Sequence, residues 1–290
     1  MNKIATTISS IVLSLTLSLT VQVSLADERY IDESSWQLGL AVGLGQSSTP
    51  LHGAKPLPLL LMPDVSYYGR YAFFDNGIFG ISALREEHWT LSVVSRLNPE
   101  KGYFYRWHIS NINVFDQTFQ SMPTVSQEQE LRNQQRAKVS VDQVSRRPTA
   151  WDAGVQLNAH YEQWSLRMNA WTDISGQHHG HQLSTVMSWY QQSAYGHWRW
   201  SAGLHWKSEQ LIDRYYGIGA NEAPHLPRYH GKASWQPEVE MGWSLPIRSG
   251  WSLMAFYRYR WLDNAMTRSP LVKQNYVQSW FIGWSYRFNS

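Results

Sequence analysis

The chain has 290 residues, with 25 Lys and Arg against 22 Asp and Glu and no cysteine. Near balance of charge leaves no single-sign field to attract phosphate, which argues against a nucleic-acid partner, and the missing thiols exclude a disulfide framework and any thiolate metal site. Sixteen tryptophans and 16 tyrosines accompany a mean hydropathy of −0.43, so aromatic surface is abundant although long apolar runs are few.

Residues 1–26 read as a cleaved signal peptide. Lys3 supplies the positive start, Ile11 to Val21 the apolar stretch, and Ser24-Leu25-Ala26 the small residues before a mature start at Asp27. The apolar stretch is shorter than the about 20 residues a membrane helix needs. No later segment is apolar enough for such a helix, so residues 27–290 are expected to form one domain built from strands.

Period-two alternation then recurs along the chain. It marks Trp36–Leu44, Asp64–Phe74, Ile78–Leu84, His88–Leu97, Thr149–Tyr161, Trp164–Asp173, His181–Tyr190 and Trp198–Trp206. It is strongest at Ala233–Leu245, Trp251–Trp261 and Tyr276–Phe288, where one face is apolar and aromatic and the other holds charge and glycine. Tyr103–Ile109 alternates more weakly. Including it gives twelve strands; leaving it out gives an odd number, whereas single-chain bacterial barrels have even counts. The predicted fold is all-β, an antiparallel up-and-down transmembrane β-barrel of about twelve strands, with ten as the alternative.

Aromatics sit at both ends of the apolar faces. Trp198 and Trp206, like Trp235 and Trp243, are eight residues apart, roughly 20 Å along a membrane normal and close to the ~25 Å apolar band between aromatic girdles. A soluble β-sandwich also alternates, but would have no use for tryptophans at both ends of its strands.

Connections fall into two classes. Asp75–Gly77, Asn98–Gly102, Glu162-Gln163, Gln191–Gly196 and Pro246–Gly250 are short. Gln46–Pro63, Val114–Pro148, Ile174–Gly180, Ser208–His230 and Asp263–Gln274 are long, with Arg85–His88 the one short connection on their side. Short turns on the periplasmic side and long loops outside follow the outer-membrane rule, with both termini in the periplasm.

The main chemical candidate is Asp173-Ile174-Ser175-Gly176-Gln177-His178-His179-Gly180-His181. It could supply a Ser/His/Asp hydrolase or an imidazole metal site. On a hairpin His179 and His181 can converge while His178 diverges, and the competing expectation is a polar loop with no catalytic residue, metal or cofactor. Glu238 and Glu240 share a face and could act as paired carboxylates; pairing with Arg258 and Arg260 on the next strand competes with that role. Tyr215 and Tyr216 lie in a long loop, either as an exposed recognition site or folded over the mouth. Trp284, Tyr286 and Phe288 form the aromatic stripe of an insertion signal, displaced from the terminus by Asn289-Ser290.

Several segments carry a family resemblance: Pro58-Leu59-Leu60 leading to Tyr67, Phe74-Asp75-Asn76-Gly77, Arg146-Arg147-Pro148-Thr149 running into Asp152-Ala153-Gly154, and Ser175–Gly180. Tyr215-Tyr216-Gly217-Ile218, Glu222-Ala223, Ser269-Pro270-Leu271-Val272 and Tyr286-Arg287-Phe288 continue it. In this order the chain resembles the MipA/OmpV family, the MltA-interacting proteins. The polar insert Gln117–Arg147 is longer than that pattern, and is expected to be a loop outside the barrel wall. The resemblance implies a non-enzymatic outer-membrane scaffold joining a murein hydrolase (a lytic transglycosylase) to a murein synthase, in contact with outer-membrane lipid. The alternatives are a narrow porin-like channel, a small-ligand barrel or adhesin, and, third, a lipid-modifying enzyme.

Overall fold

The computed structural model describes residues 35–105, 138–219, 222 and 227–288. The signal-peptide segment, residues 106–109 of the weakest predicted strand, and most of the polar insert lie outside the described residues.

One antiparallel sheet closes on itself. Its strands are β1 (Ser35–Ser47), β2 (Leu57–Pro58), β3 (Leu61–Tyr68), β4 (Ala72–Asp75), β5 (Ile78–Arg85), β6 (Trp89–Leu97) and β7 (Trp151–Tyr161). They continue with β8 (Trp164–Asp173), β9 (His181–Ser193), β10 (Gly196–Lys207), β11 (Ser234–Arg248), β12 (Trp251–Trp261) and β13 (Tyr276–Arg287). From β3 to β13 each strand pairs with the next, β2 and β3 both pair with β1, and β13 pairs with β1 from Gly39↔Arg287 to Ser47↔Ser279, which removes the sheet's edges. β2 and β3 both ladder onto β1 with a one-residue slip between Val42↔Leu61 and Gln46↔Pro58, so they form one bulged strand. The wall therefore has twelve strands.

Twelve is the expected number, but two of its predicted members are corrected. Asp64–Phe74 is not one strand: the chain turns back at residues 69–71, making β3 and β4 separate strands. Tyr103 is not the start of a strand: Pro99–Tyr103 is a 3-10 helix, capped by the Asn98 side chain accepting from the Glu100 N–H. Proline at its first position suits a helical turn and cannot donate to a ladder.

These corrections move three connections. Asp75–Gly77 lies at the loop-rich end, Arg85–His88 at the short-turn end, and Asn98–Gly102 is the start of one long connection between β6 and β7. The sorting then becomes cleaner. Turns at 69–71, 86–88, 162–163, 194–195 and 249–250 share one end with the start of β1 and the close of β13; all the long connections occupy the other.

Alternation is satisfied in three dimensions. On β11 the even residues Ser234, Gln236, Glu238 and Glu240 are buried inside, while Trp235 and Val239 face out. Outward aromatics form two belts. Near the short-turn end Trp36 meets Tyr67, Trp164 meets Trp189, Trp198 meets Trp243 and Trp251 meets Tyr286, with ring centroids 4.9–6.3 Å apart. Near the other end the belt includes Phe79–Trp151, Trp206–Trp235 and Tyr259–Trp261. Between them Val42, Val93, Val155, Leu183, Leu204, Val239 and Ile282 are exposed, an apolar band suited to lipid. At the closing seam Gly43 faces Gly283, and a Cβ on Gly43 would lie 2.6 Å from the Gly283 Cα and 2.7 Å from the Phe281 ring. The ring packs flat only because both partners lack side chains.

Candidate functional site

Long connections at the loop-rich end fold together into a cap. Leu51, Val139, Leu211, Ile212, Tyr215, Tyr216, Ile218, Leu262, Met266, Leu271 and Val272 form its apolar core, with Val277 of β13 beneath. The helix Glu209–Tyr216 supplies four of these from one face, the i, i+3, i+4 spacing that buries a helical stripe. Val139 and Arg147 are buried here, so the last part of the polar insert packs into the cap rather than hanging free.

Arg147 ties the end of the β6–β7 connection to the β10–β11 connection. Its Nε donates to the Tyr215 carbonyl at 3.1 Å, Nη2 donates to the Gly217 carbonyl at 2.7 Å, and Nη1 pairs with the Glu222 carboxylate. The Tyr215 hydroxyl donates to the Pro148 carbonyl, and the Ser269 hydroxyl to the Tyr216 carbonyl. Tyr215 and Tyr216 are thus wholly buried, which excludes the exposed-recognition alternative for them.

Below the cap lies a cavity of about 590 Å³ within the barrel. Six basic side chains line it: Arg96, Arg167, Arg199, Lys207, Arg258 and Arg260, against Glu100, Glu238 and Glu240. Glu238 accepts from Arg260 at 2.6 Å, and Glu240 accepts from Arg258 at 2.8 Å and pairs with Arg199. The register Glu238↔Arg260 and Glu240↔Arg258 places each carboxylate opposite its guanidinium. Cross-strand ion pairing spares these charges most of their desolvation penalty, and it occupies the carboxylates that a glycosidase would need free.

Glu100 joins the cap to the wall. Lys207 Nζ donates to its Oε1 and the Tyr216 hydroxyl to its Oε2, both at 2.6 Å. Burial alone pushes the Glu100 carboxyl up; the lysine and hydroxyl beside it outweigh that and hold it below its ordinary value. The same burial, with Glu100 adjacent, pushes the Tyr216 phenol well up, so it remains a donor.

In the histidine segment the geometry reverses the expected roles. His178, not His179 or His181, points inward and is buried; its Nε2 lies 3.1 Å from Asp152 Oδ1, and its Nδ1 accepts the Gly180 N–H. The cause is local: His179 takes a positive φ of 50°, which breaks strand alternation and turns the preceding side chain in. His179 and His181 are exposed and do not converge on a common ligand. Ser175 Oγ donates to Asp173 Oδ1 at 2.7 Å and accepts the Trp151 N–H, so no histidine reaches the hydroxyl to form a triad. Asp152, Asp173 and His178 bring ligand atoms within 4.8 Å of one another. Their lone pairs are already committed: Asp173 accepts the N–H groups of Ser175, His178 and His179, while Asp152 accepts from Asn98 and Gln182.

Trp284, Tyr286 and Phe288 end β13 on the outer face, with Phe288 N–H donating to the Leu38 carbonyl. Sequence reasoning missed Glu100, Arg147 and Asp152 as organisers. Arg199 and Lys207 stand on the charged face of a predicted strand and were findable by alternation; Glu100, inside a presumed short turn, was not.

A closed twelve-strand barrel with a folded cap and a charged lumen is the class that fold and site define. A family model described as MltA-interacting protein MipA matches residues 38–288, and the chain belongs to that family. Relatives named MltA-interacting protein from Escherichia coli (strain K12) and Shigella flexneri are each 31% identical over 88 residues. Those alignments cover 30% of this chain and 36% of each relative, so the chain matches about a third of their length. Among solved structures, Acinetobacter baumannii OccAB3 has a TM-score of 0.37 at 10% identity, covering 90% of this chain and 66% of that one.

Proposed function

We propose that the protein is a non-enzymatic outer-membrane barrel that serves as an interaction platform for murein machinery, a hydrolase and a synthase being its partner classes. Family membership supports this partner class. The observation that carries the platform reading over the channel reading is the cap: a folded apolar core lies across the loop-rich mouth, and paired charges line the lumen below. A murein partner approaches from the side of the short turns, where Tyr71, Tyr195 and Ile247 are exposed.

The test is affinity capture of the tagged barrel from detergent-solubilised envelope, with an unrelated barrel of equal abundance as control. Enrichment of a lytic transglycosylase or murein synthase, reduced by Tyr71→Ala with Tyr195→Ala, is expected. Equal recovery of these enzymes on both barrels contradicts the reading.

A further inference from the structure

Among the described residues the barrel wall is interrupted on one side. β4 has four residues and pairs with β3 only at Ser66, Tyr67 and Tyr68. Above that point Leu61–Asp64 and β2 ladder to β1 alone among the described residues. The gap has a finished edge. Asn76 and Gly77 turn the β4–β5 hairpin with φ of 45° and 93°, the left-handed pair a two-residue hairpin requires. The Asn76 side chain then replaces the missing rung: its Oδ1 accepts the Val65 N–H at 3.0 Å and its Nδ2 donates to Asp64 at 2.9 Å. A frayed hairpin would have neither contact.

The lumenal cavity reaches this gap. Its lining mixes inward-facing cations with Phe74, Phe79 and Trp151, which point outward. Those three rings form a continuous aromatic sill, with centroids 4.8 Å apart for Phe74–Phe79 and 6.5 Å for Phe79–Trp151. Leu57 lies on the opposite side of the opening. Just inside stands Arg96, paired in register with Ile78 and stacked 4.1 Å over the Trp171 ring. The six lining cations exceed the three lining carboxylates, and still exceed them once Asp152, the register partner of Arg96, is counted. Asp64 and Asp75 at the hairpin are held by Asn76 and Tyr68 and are not part of the lining.

An apolar threshold leading from the lipid-facing surface to a net-cationic chamber is complementary to one kind of molecule. We infer that the wall opening above the β4–β5 hairpin admits a single-chain amphiphile with an anionic head. The head pairs with Arg96, just inside the sill, and the chain lies across Phe74, Phe79 and Trp151. The volume lies within the ~300–1,000 Å³ of small-ligand sites, and guanidinium groups suit a carboxylate by bidentate pairing.

The test uses the full barrel in lipid nanodiscs and a brominated long-chain fatty acid, which quenches tryptophan on contact. Saturable quenching is expected, with the equally brominated alcohol at least about tenfold weaker. Arg96→Gln lowers affinity for the acid to the level of the alcohol, whereas Arg96→Lys retains most of it; heat-modifiable migration verifies each fold. Phe74→Ala with Phe79→Ala weakens binding while leaving Arg96 in place. Non-saturable quenching equal for acid and alcohol means partition into bilayer only and overturns the proposal. So does full competition by inorganic phosphate, which assigns the chamber to a water-borne anion.

Discussion

Arg147 joins two cap connections through one guanidinium, and its partners are two backbone carbonyls and the Glu222 carboxylate. Removing one partner of a buried, hydrogen-bonded charge pair costs about 3–5 kcal/mol, because the remainder is left desolvated and unpaired. Arg147→Ala is therefore expected to loosen the cap while the wall persists, read as faster proteolysis within residues 208–233 on a barrel that still resists heat in detergent. Glu100 gives the same device a pH dependence. Its carboxyl is held below the ordinary 4.5, so the stability it contributes is present above pH 4.5 and is lost as pH falls through its folded value. Cap proteolysis should rise with acidification below about pH 4.5 in wild type. Glu100→Gln should be looser at neutral pH and lack that increment; a wild-type profile flat down to pH 3 would contradict the role given to Glu100.

At the scale of elements, β13 closes the ring with β1 and presents Trp284, Tyr286 and Phe288 outward. Phe288→Ala with Trp284→Ala should lower the amount of assembled barrel in the membrane, and equal recovery from both proteins would show that the stripe is not an insertion signal. Strands of ten or more residues were legible because alternation sustained over β9 to β13 leaves one face for lipid and one for the lumen. The eight- and nine-residue β5 and β6 were legible too, but β4 was not. β4 is four residues long, below what periodicity detects, so Asp64–Phe74 read as one strand. The charged and aromatic alternation of Tyr103-Phe104-Tyr105-Arg106 then supplied the missing member. Parity gave the right count from one strand too few and one too many. The candidate site was legible only where it lies on strands: Glu238, Glu240, Arg258 and Arg260 follow from the pleat, whereas the convergence of Arg147, Glu222 and Ser269 is set by loops distant in sequence. The burial of His178 hangs on one residue with positive φ, for which no periodic pattern exists.

For the whole molecule, the wall supplies a lipid-compatible exterior, the cap crosses the loop-rich end, and the lumen holds charges paired across strands. Under the platform reading proposed above, such a barrel presents its ends, and among the described residues the opening above the β4–β5 hairpin, to partners rather than a passage to solutes. The most direct measurement is ion conductance in a planar bilayer, comparing the intact barrel with one whose residues 210–231 are replaced by a short glycine-serine linker. The account predicts no sustained conductance steps from the intact protein and discrete, voltage-stable steps from the cap-depleted one. Stable porin-sized steps from the intact barrel would contradict it, and would make the protein a channel.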